Sequence, residues 1–551
     1  MRESELIVRF QPETRHVYVL PGTTILEAAD RANLIIDTPC GGQGTCGRCR
    51  VTVTENPPEP TAAERERLSA DELAGGVRLA CQAEVHTGMT VEVPVESRFF
   101  GQKILAHGTG AARELEPCVA PDPDDRSGRL YGTAFDVGTT TVVGTLLDLT
   151  TGRTLAVAAR PNPQIPLGDD VISRINHAGK EGGVEELRRP LLDAVNAMIA
   201  EMCEEAKAPV ESIYEAAFGG NTTMHHLLLG IDPTPLGHAP YEAVVLDSRT
   251  VPARELGVRI RPTGRAYTMP NIAGYVGGDT VGVILAAAMA DYDGVQLALD
   301  IGTNGEIVLG GAERLIACST AAGPAFEGAR LDHGMRAAPG AIESVRLDHD
   351  VRIGVIEDAP PRGICGSGVI DAIAVLLEAG ILDSTGRLLT PDELPDGLHD
   401  GLRRRITEFN GGPAFVLADA DDSATGRPVC LTQRDIREVQ LGKGAIRAGT
   451  EIVLAEYGVS IEDVDRVLLA GAFGNFARPR SVIRMGLLPG MPTSKVEFIG
   501  NAAGTGVQMA LAGRRCREQA DRIARETEYI ELAGRPDFQM KFAEAMIFPS
   551  P

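Results

Sequence analysis

Four cysteines stand in the first 81 residues as Cys40-x5-Cys46-x2-Cys49 followed by Cys81, and this spacing constrains the chain more than any other feature. Four thiolates can complete the tetrahedral shells of two bridged irons. Gly41, Gly42, Gly44 and Gly47 let the loop wrap closely and aim backbone N–H groups at the sulfurs. A structural zinc site is the alternative, although zinc ligands usually come as two C-x2-C pairs. Cys118, Cys203, Cys318, Cys365, Cys430 and Cys516 show no such spacing. Cys203 falls in an apolar helical stripe and reads as core. Cys365, within Gly363-Ile-Cys-Gly-Ser-Gly368, reads as packing.

The N-terminus is charged and passes directly into an alternating strand pattern, without the apolar core of a signal peptide. The longest clean apolar stretch, Val281 to Ala290, is far short of a membrane span. Both features predict a cytoplasmic protein, in which a disulfide framework is not expected. With 53 Lys and Arg against 76 Asp and Glu, the net charge is −23, which argues against nucleic acid or an anionic membrane as partner. The absence of Trp and the nine Tyr leave few stacking platforms for single strands.

The pattern predicts a small α+β unit over 1–97, a connector rich in Pro and Asp over 98–129, and a long α/β region divided at 130–293 and 294–551. Strands are expected at 6–10, 15–20, 91–95, 131–148, 214–218, 296–300 and 466–470. A short helix is expected at 24–33, and a capping box at Thr61 and Glu64 opens another. In 184–207 the positions Val184, Leu187, Leu191, Val195, Met198 and Met202 form one buried helical stripe.

The segment from Thr133 to Val142, with Asp136-Val-Gly-Thr-Thr-Thr141, is echoed by Asp300-Ile-Gly-Thr-Asn-Gly-Glu306. Each places an acid at a strand end and Gly and hydroxyl residues in the turn. Such turns offer N–H and hydroxyl donors to phosphate, and the acid can hold hydrated Mg2+. A third element, Val467-Leu-Leu-Ala-Gly-Ala-Phe-Gly474, is an apolar strand ending in small residues that let a flat ligand approach the backbone. His225 and His226, in Gly219-Gly-Asn-Thr-Thr-Met-His-His226, read as helix-start residues rather than metal ligands.

This trio resembles the phosphate-1, phosphate-2 and adenosine motifs of the ASKHA superfamily, which includes acetate and sugar kinases and actin. The resemblance implies two duplicated subdomains, each with a mixed five-stranded sheet, and MgATP between them. By position, Asp136, Gly138, Thr139 and Thr140 would meet the phosphates from one side, and Asp300, Gly302, Thr303 and Asn304 from the other. Gly471 and Phe473 would lie near the adenosine. Asp279 matches the acid that orients the attacking water, with a plain helix N-cap as the alternative. Lys443 matches a base contact, with a solvated Lys as the alternative.

The thiol loop resembles that of adrenodoxin-like 2Fe-2S ferredoxins of the β-grasp fold, which assigns Cys40, Cys46, Cys49 and Cys81 as ligands. The whole chain resembles the reductive activators of corrinoid proteins. Tyr131 to Val142, Gly219 to Met224, Leu299 to Glu306, Ala322-Gly-Pro-Ala-Phe-Glu-Gly328 and Gly471 to Asn475 carry this resemblance beside the cysteines. It implies a β-grasp ferredoxin domain fused to an ASKHA ATPase, which spends ATP to reduce an inactive Co(II) corrinoid to Co(I). The implied partners are an electron-donor reductase and a corrinoid-binding protein: a methyltransferase subunit, a corrinoid/iron–sulfur protein or methionine synthase. A homodimer is compatible with the reading. The alternatives are an activator of another low-potential enzyme, which would carry a 4Fe-4S cluster across a dimer, and a nucleotide-binding redox sensor or adaptor.

Overall fold

A computed structural model describes residues 6–11, 15–32, 36, 44, 49–93, 115–122, 128–328, 330–471 and 477–550 of the 551. The N-terminal unit is built on β1 (Leu6–Gln11), β2 (Arg15–Val19), β3 (Arg50–Glu55), β4 (Val77–Leu79) and β5 (Met89–Glu92), in the sheet order β2-β1-β5-β3-β4. Val8 and Phe10 alternate with exposed Arg9 and Gln11, so one face packs on α1 (Ile25–Arg31) while the other meets water. β1 and β5 run parallel at the centre, as a β-grasp requires. The helix α2 (Ala62–Arg67) carries the expected capping box. Thr61 N donates to Glu64 Oε2 at 2.7 Å, and Glu64 N donates to Thr61 Oγ1 at 3.3 Å.

The α/β body contains two sheets of one design. The first comprises β6 (Tyr131–Val137), β7 (Thr141–Asp148), β8 (Thr154–Pro161), β9 (Ile213–Gly220), β10 (Arg249–Pro252) and β11 (Arg265–Thr268), in the order β8-β7-β6-β9-β11-β10. Its helices are α3 (Gly183–Glu205), α4 (Thr222–Leu229) and α5 (Gly278–Ala286). The second comprises β12 (Gln296–Ile301), β13 (Gly305–Gly310), β14 (Leu315–Thr320), β15 (Arg466–Ala470), β16 (Val496–Gly500) and β17 (Glu528–Tyr529), in the order β16-β15-β12-β13-β14-β17. Each sheet holds two antiparallel hairpins followed by two parallel additions beside the first strand. The duplication read from the two Asp-x-Gly-Thr segments is therefore a duplication of topology.

Each sheet has six strands rather than the expected five. The additions are short edge strands: β10 pairs antiparallel with β11, and β17 pairs parallel with β14. Both cover edges that would otherwise present unpaired backbone groups. Two three-stranded sheets, at 341–364 and 406–432, are inserted in the second half with α6 (Gly366–Glu378) and α7 (Gln433–Tyr457). The second half ends with α8 (Ala502–Ala512) and α9 (Pro536–Ala545).

The stripe on α3 is buried at Leu187, Leu191, Val195, Met198 and Met202, and Val184 packs at its edge. The described part of the connector is anchored to the body. Arg514 N donates to Glu116 O at 2.8 Å, and Arg261 pairs with Asp122 at 2.8 Å. Among the described residues no helix is long and apolar enough to cross a membrane.

Candidate functional site

Two sites emerge, one in each part of the chain. In the N-terminal unit, Cys49 precedes β3 and Cys81 follows β4. The register that sets Arg50 opposite Leu79 brings their sulfurs within 3.3 Å, both buried. That separation is well beyond a disulfide bond, and the two sulfurs are close enough to ligate one group. Gln82 Nε2 donates to Cys81 Sγ at 3.6 Å, the kind of donor that tunes a cluster sulfur. Gly44, with φ of +74°, lies against the Gln82 side chain, where a Cβ would stand 2.8 Å from Cδ. These residues fit a thiolate-held cluster. Cys40 and Cys46 lie outside the described residues.

In the body, a cavity of about 560 Å³ lies between the two sheets. The turns β6–β7 and β12–β13 meet across it. Asp136, Gly138, Thr139, Thr140, Asp279, Asp300, Gly302, Thr303, Asn304 and Gly471 all line this one cavity. The turn geometry follows from the glycines. At Gly138 a Cβ would stand 2.7 Å from Thr141 O, and at Gly471, with φ of +109°, 2.4 Å from Ile301 O. The first turn is held from beneath: Arg174 Nη2 donates to Thr139 O at 2.5 Å, Asn162 Nδ2 to Gly138 O at 2.8 Å, and Asn221 Nδ2 to Thr139 Oγ1 at 2.9 Å. Across the cleft Thr140 and Thr303 share a hydrogen bond at 2.7 Å, and Thr303 Oγ1 donates to Glu327 Oε2 at 3.3 Å.

The electrostatics point to a cation. Burial pushes Asp136 and Asp279 up to about 6. Burial first, then the charges of Asp279, Asp136 and Glu327, pushes Asp300 up to about 8. Glu306 on β13 is also pushed well above its usual range by burial and by Asp279 and Asp300. Carboxylates that raise one another are relieved by a bound cation. Among the described residues no three His, Cys, Asp or Glu side chains converge closely enough to hold a bare ion.

Gly277, not Asp279, occupies the N-cap position; Asp279 lies in the first turn of α5 and lines the cleft, and its Oδ1 accepts from Thr280 N at 2.7 Å. Lys443 is neither solvated nor a lining residue of the cavity. It is buried on α7, its Nζ donates to Ile547 O at 2.7 Å, and it lies 4.9 Å from the centre of the Phe548 ring. Burial lowers its pKa to about 7. Phe473 lies outside the described residues. His225 and His226 sit within α4, beyond its cap Asn221. Cys203 is buried in the α3 core, whereas Cys365, read as packing, also lines the cleft at the start of α6. Sequence reasoning missed Asn501, whose Nδ2 donates to Asp136 Oδ2 at 2.9 Å. Its signal was a strand followed by Asn and a run of small residues, the pattern of a capped helix.

Three family models match in series: a 2Fe-2S iron–sulfur cluster binding domain over 8–86, the RACo middle region over 131–292, and the C-terminal ASKHA domain of RACo over 294–551. The corrinoid activation enzyme RamQ of Eubacterium limosum is 32% identical, covering 92% of this chain and 93% of that protein. A Co(II) methylated-amine-specific corrinoid protein reductase of Methanosarcina barkeri is 26% identical, over 73% of this chain and 72% of its own. The solved structure of a reductive activator for a corrinoid, iron–sulfur protein superposes over 99% of both chains, with a TM-score of 0.74 and 33% identity. On the full-length agreement of sequence, domain series and fold, the chain belongs to the family of reductive activators of corrinoid proteins.

Proposed function

We propose that the chain hydrolyses ATP in the cleft between its two duplicated halves and couples this to one-electron reduction of a corrinoid protein from Co(II) to Co(I). One observation carries the reading: buried paired thiols and a carboxylate-lined cleft between Asp-x-Gly-Thr turns occur in one chain. An electron carrier has no use for the cleft, and a kinase has none for the thiols. When bound, the 2Fe-2S cluster supplies a one-electron carrier, with Cys40, Cys46, Cys49 and Cys81 as its ligands.

The chain's own groups do the rest. Thr139 and Thr140 from one side and Asn304 from the other offer backbone N–H and side-chain groups to the phosphates, on turns held by the Gly138 N–H to Thr141 O and the Gly302 N–H to Asn304 O. Asp136 and Asp300 would hold Mg2+, and Asp279 would orient the attacking water. The hydrogen bond between Thr140 and Thr303 closes the cleft, and a phosphate entering between the turns must part it. Cleft geometry and nucleotide state are thereby linked. For one electron, each step of roughly 59 mV by which the acceptor lies below the cluster costs about 1.4 kcal/mol, a gap that ATP would have to cover. ATP contributes only if its binding differs between the partner's two states, so a cytoplasmic corrinoid protein must dock on the nucleotide-sensitive body. A separate reductase refills the cluster.

The test is anaerobic mixing of the reduced protein, MgATP and a Co(II) corrinoid protein, with Co(I) followed by its absorbance. Co(I) is expected only with ATP, and Asp300→Ala is expected to abolish both ATP turnover and Co(I) formation. Equal Co(I) formation without ATP would overturn the coupling.

A further inference from the structure

In the turn from Gly219 to His226, Asn221 supports the phosphate turn, whereas His225 and His226 have no part in the reaction yet are buried and hydrogen-bonded. What it supports becomes clear at the start of α5. The first N–H groups of a helix have no partner inside the helix and need outside acceptors. The Asp279 carboxylate takes one of them, from Thr280 N at 2.7 Å, and there is no room for a capping side chain at the two positions before it. At the N-cap Gly277 a Cβ would stand 2.5 Å from Asn221 Cα, and at Gly278 it would stand 2.8 Å from Met269 Cβ. The acceptor comes from elsewhere: Asn271 Oδ1 takes the Gly278 N–H at 3.0 Å.

That contact fixes the rest. The Gly278 N–H can only donate, so the Asn271 atom facing it is the oxygen, and the amide nitrogen turns to His225. It lies 2.8 Å from His225 Nδ1, and His225 Nε2 lies 2.9 Å from Thr268 Oγ1. His225 therefore accepts at Nδ1 and donates from Nε2–H to Thr268, the neutral tautomer. Burial, with His226 and Arg249 nearby, holds its pKa down to about 3, which keeps it in this form. The next residue after Gly278 is Asp279, whose carboxylate lies in the cleft. The phosphate turn is held separately by Asn221 through Thr139.

We infer that His225 and Asn271 are positioning residues for ATP hydrolysis: the pair holds the Gly278 N–H from outside the helix and so sets the start of α5, on which the bond from Thr280 N then orients the Asp279 carboxylate. This rests on the reading of Asp279 as the acid that orients water. A group acting through Asp279 alone moves kcat and spares ATP binding. Small displacements of such a group are expensive, up to roughly a hundredfold for about 1 Å.

The experiment is steady-state ATPase of the full-length, cluster-loaded protein. His225→Leu fills the space without an acceptor, and His225→Asn keeps one near Nδ1. His225→Leu and Asn271→Ala should each lower kcat roughly tenfold or more, with KM for ATP within about twofold. His225→Asn should recover most of the rate, and the cluster absorbance should be unchanged in all three. If His225→Leu fails to fold, Asn271→Ala carries the same comparison against His225→Asn. Asp279→Asn is assayed alongside: wild-type turnover in that variant defeats the reading of Asp279 itself. If Asp279→Asn loses rate while folded His225→Leu and Asn271→Ala keep theirs, the positioning role is overturned. A loss confined to KM, or no recovery in His225→Asn, overturns it equally.

Discussion

At the residue scale the cleft is a set of carboxylates held where they are reluctant to ionise, and this makes a pH prediction whose sign can be derived. Asp300 has a folded pKa of about 8, raised by burial and by Asp279, Asp136 and Glu327. A carboxyl raised above its unfolded value binds protons more tightly when folded. It therefore contributes stability that is present below its unfolded pKa of about 4 and is lost as pH rises through the folded value. Without nucleotide or Mg2+, the thermal midpoint should fall between pH 6 and pH 8. Asp300→Asn should remove much of that fall and stabilise the protein at pH 8 by on the order of 1 kcal/mol or more, while ATP turnover disappears. Mg2+ with a nucleotide should flatten the same slope in the wild type, because a cation offsets the repulsion. A midpoint that rises from pH 6 to pH 8 in the metal-free protein would refute this account of the cleft.

At the element scale, α5 and α8 set the two halves against each other. A Cβ on Gly282 would stand 2.7 Å from Ala503 O, and one on Gly506 would stand 2.2 Å from Gly282 O, so the two helices touch backbone to backbone. Each begins at the cleft. α5 brings Asp279 from the first half, and α8 brings its cap Asn501 from the second half to Asp136 of the first. Gly506→Ala should cost about 1–3 kcal/mol by overpacking and lower ATP turnover, read by thermal unfolding beside the ATPase assay. Unchanged stability would mean that the helices separate freely. Patterning made much of this level legible: β15 spans Arg466–Ala470 as read, the Thr61 capping box forms, and the Asp-x-Gly-Thr segments become facing hairpin turns. The illegible parts depend on distant partners. Asn501 and Asp136 are 365 residues apart, and no local pattern announces their bond. β10 and β17 have four and two residues, too few to show a period. Lys443 fits neither of its readings, a base contact or a solvated Lys, because the cover over it, Ile547 and Phe548, comes from the far end of the chain.

At the scale of the whole molecule the question is how an electron carrier and an ATPase act as one machine. Between described residues, Glu27 on α1 meets Arg346 of the second half at 3.3 Å, with both side chains well exposed. Exposed pairs of this kind are worth about 0–1 kcal/mol, so this contact costs little to remake against another surface. The body, in contrast, holds the chain at Glu116 and Asp122 through backbone and ion-pair contacts. If ATP were turned over without an acceptor, its free energy could not shift the Co(II) equilibrium, because a ligand moves an equilibrium only by its differential affinity for the two states. Basal ATP turnover should therefore be slow and should rise when a Co(II) corrinoid protein is added, with little response to free cobalamin. A net charge of −23 favours a basic docking surface on the partner, and for such a partner stimulation should weaken as ionic strength rises. Cys81→Ser should block Co(I) formation while leaving ATP turnover in place, since its sulfur lies in the ferredoxin unit beside Cys49 and not in the cleft. The measurement pairs phosphate release with Co(I) absorbance across a salt series. Free cobalamin stimulating turnover as strongly as the corrinoid protein would show that the cleft responds to the cofactor itself, and the coupling would not run through a protein surface.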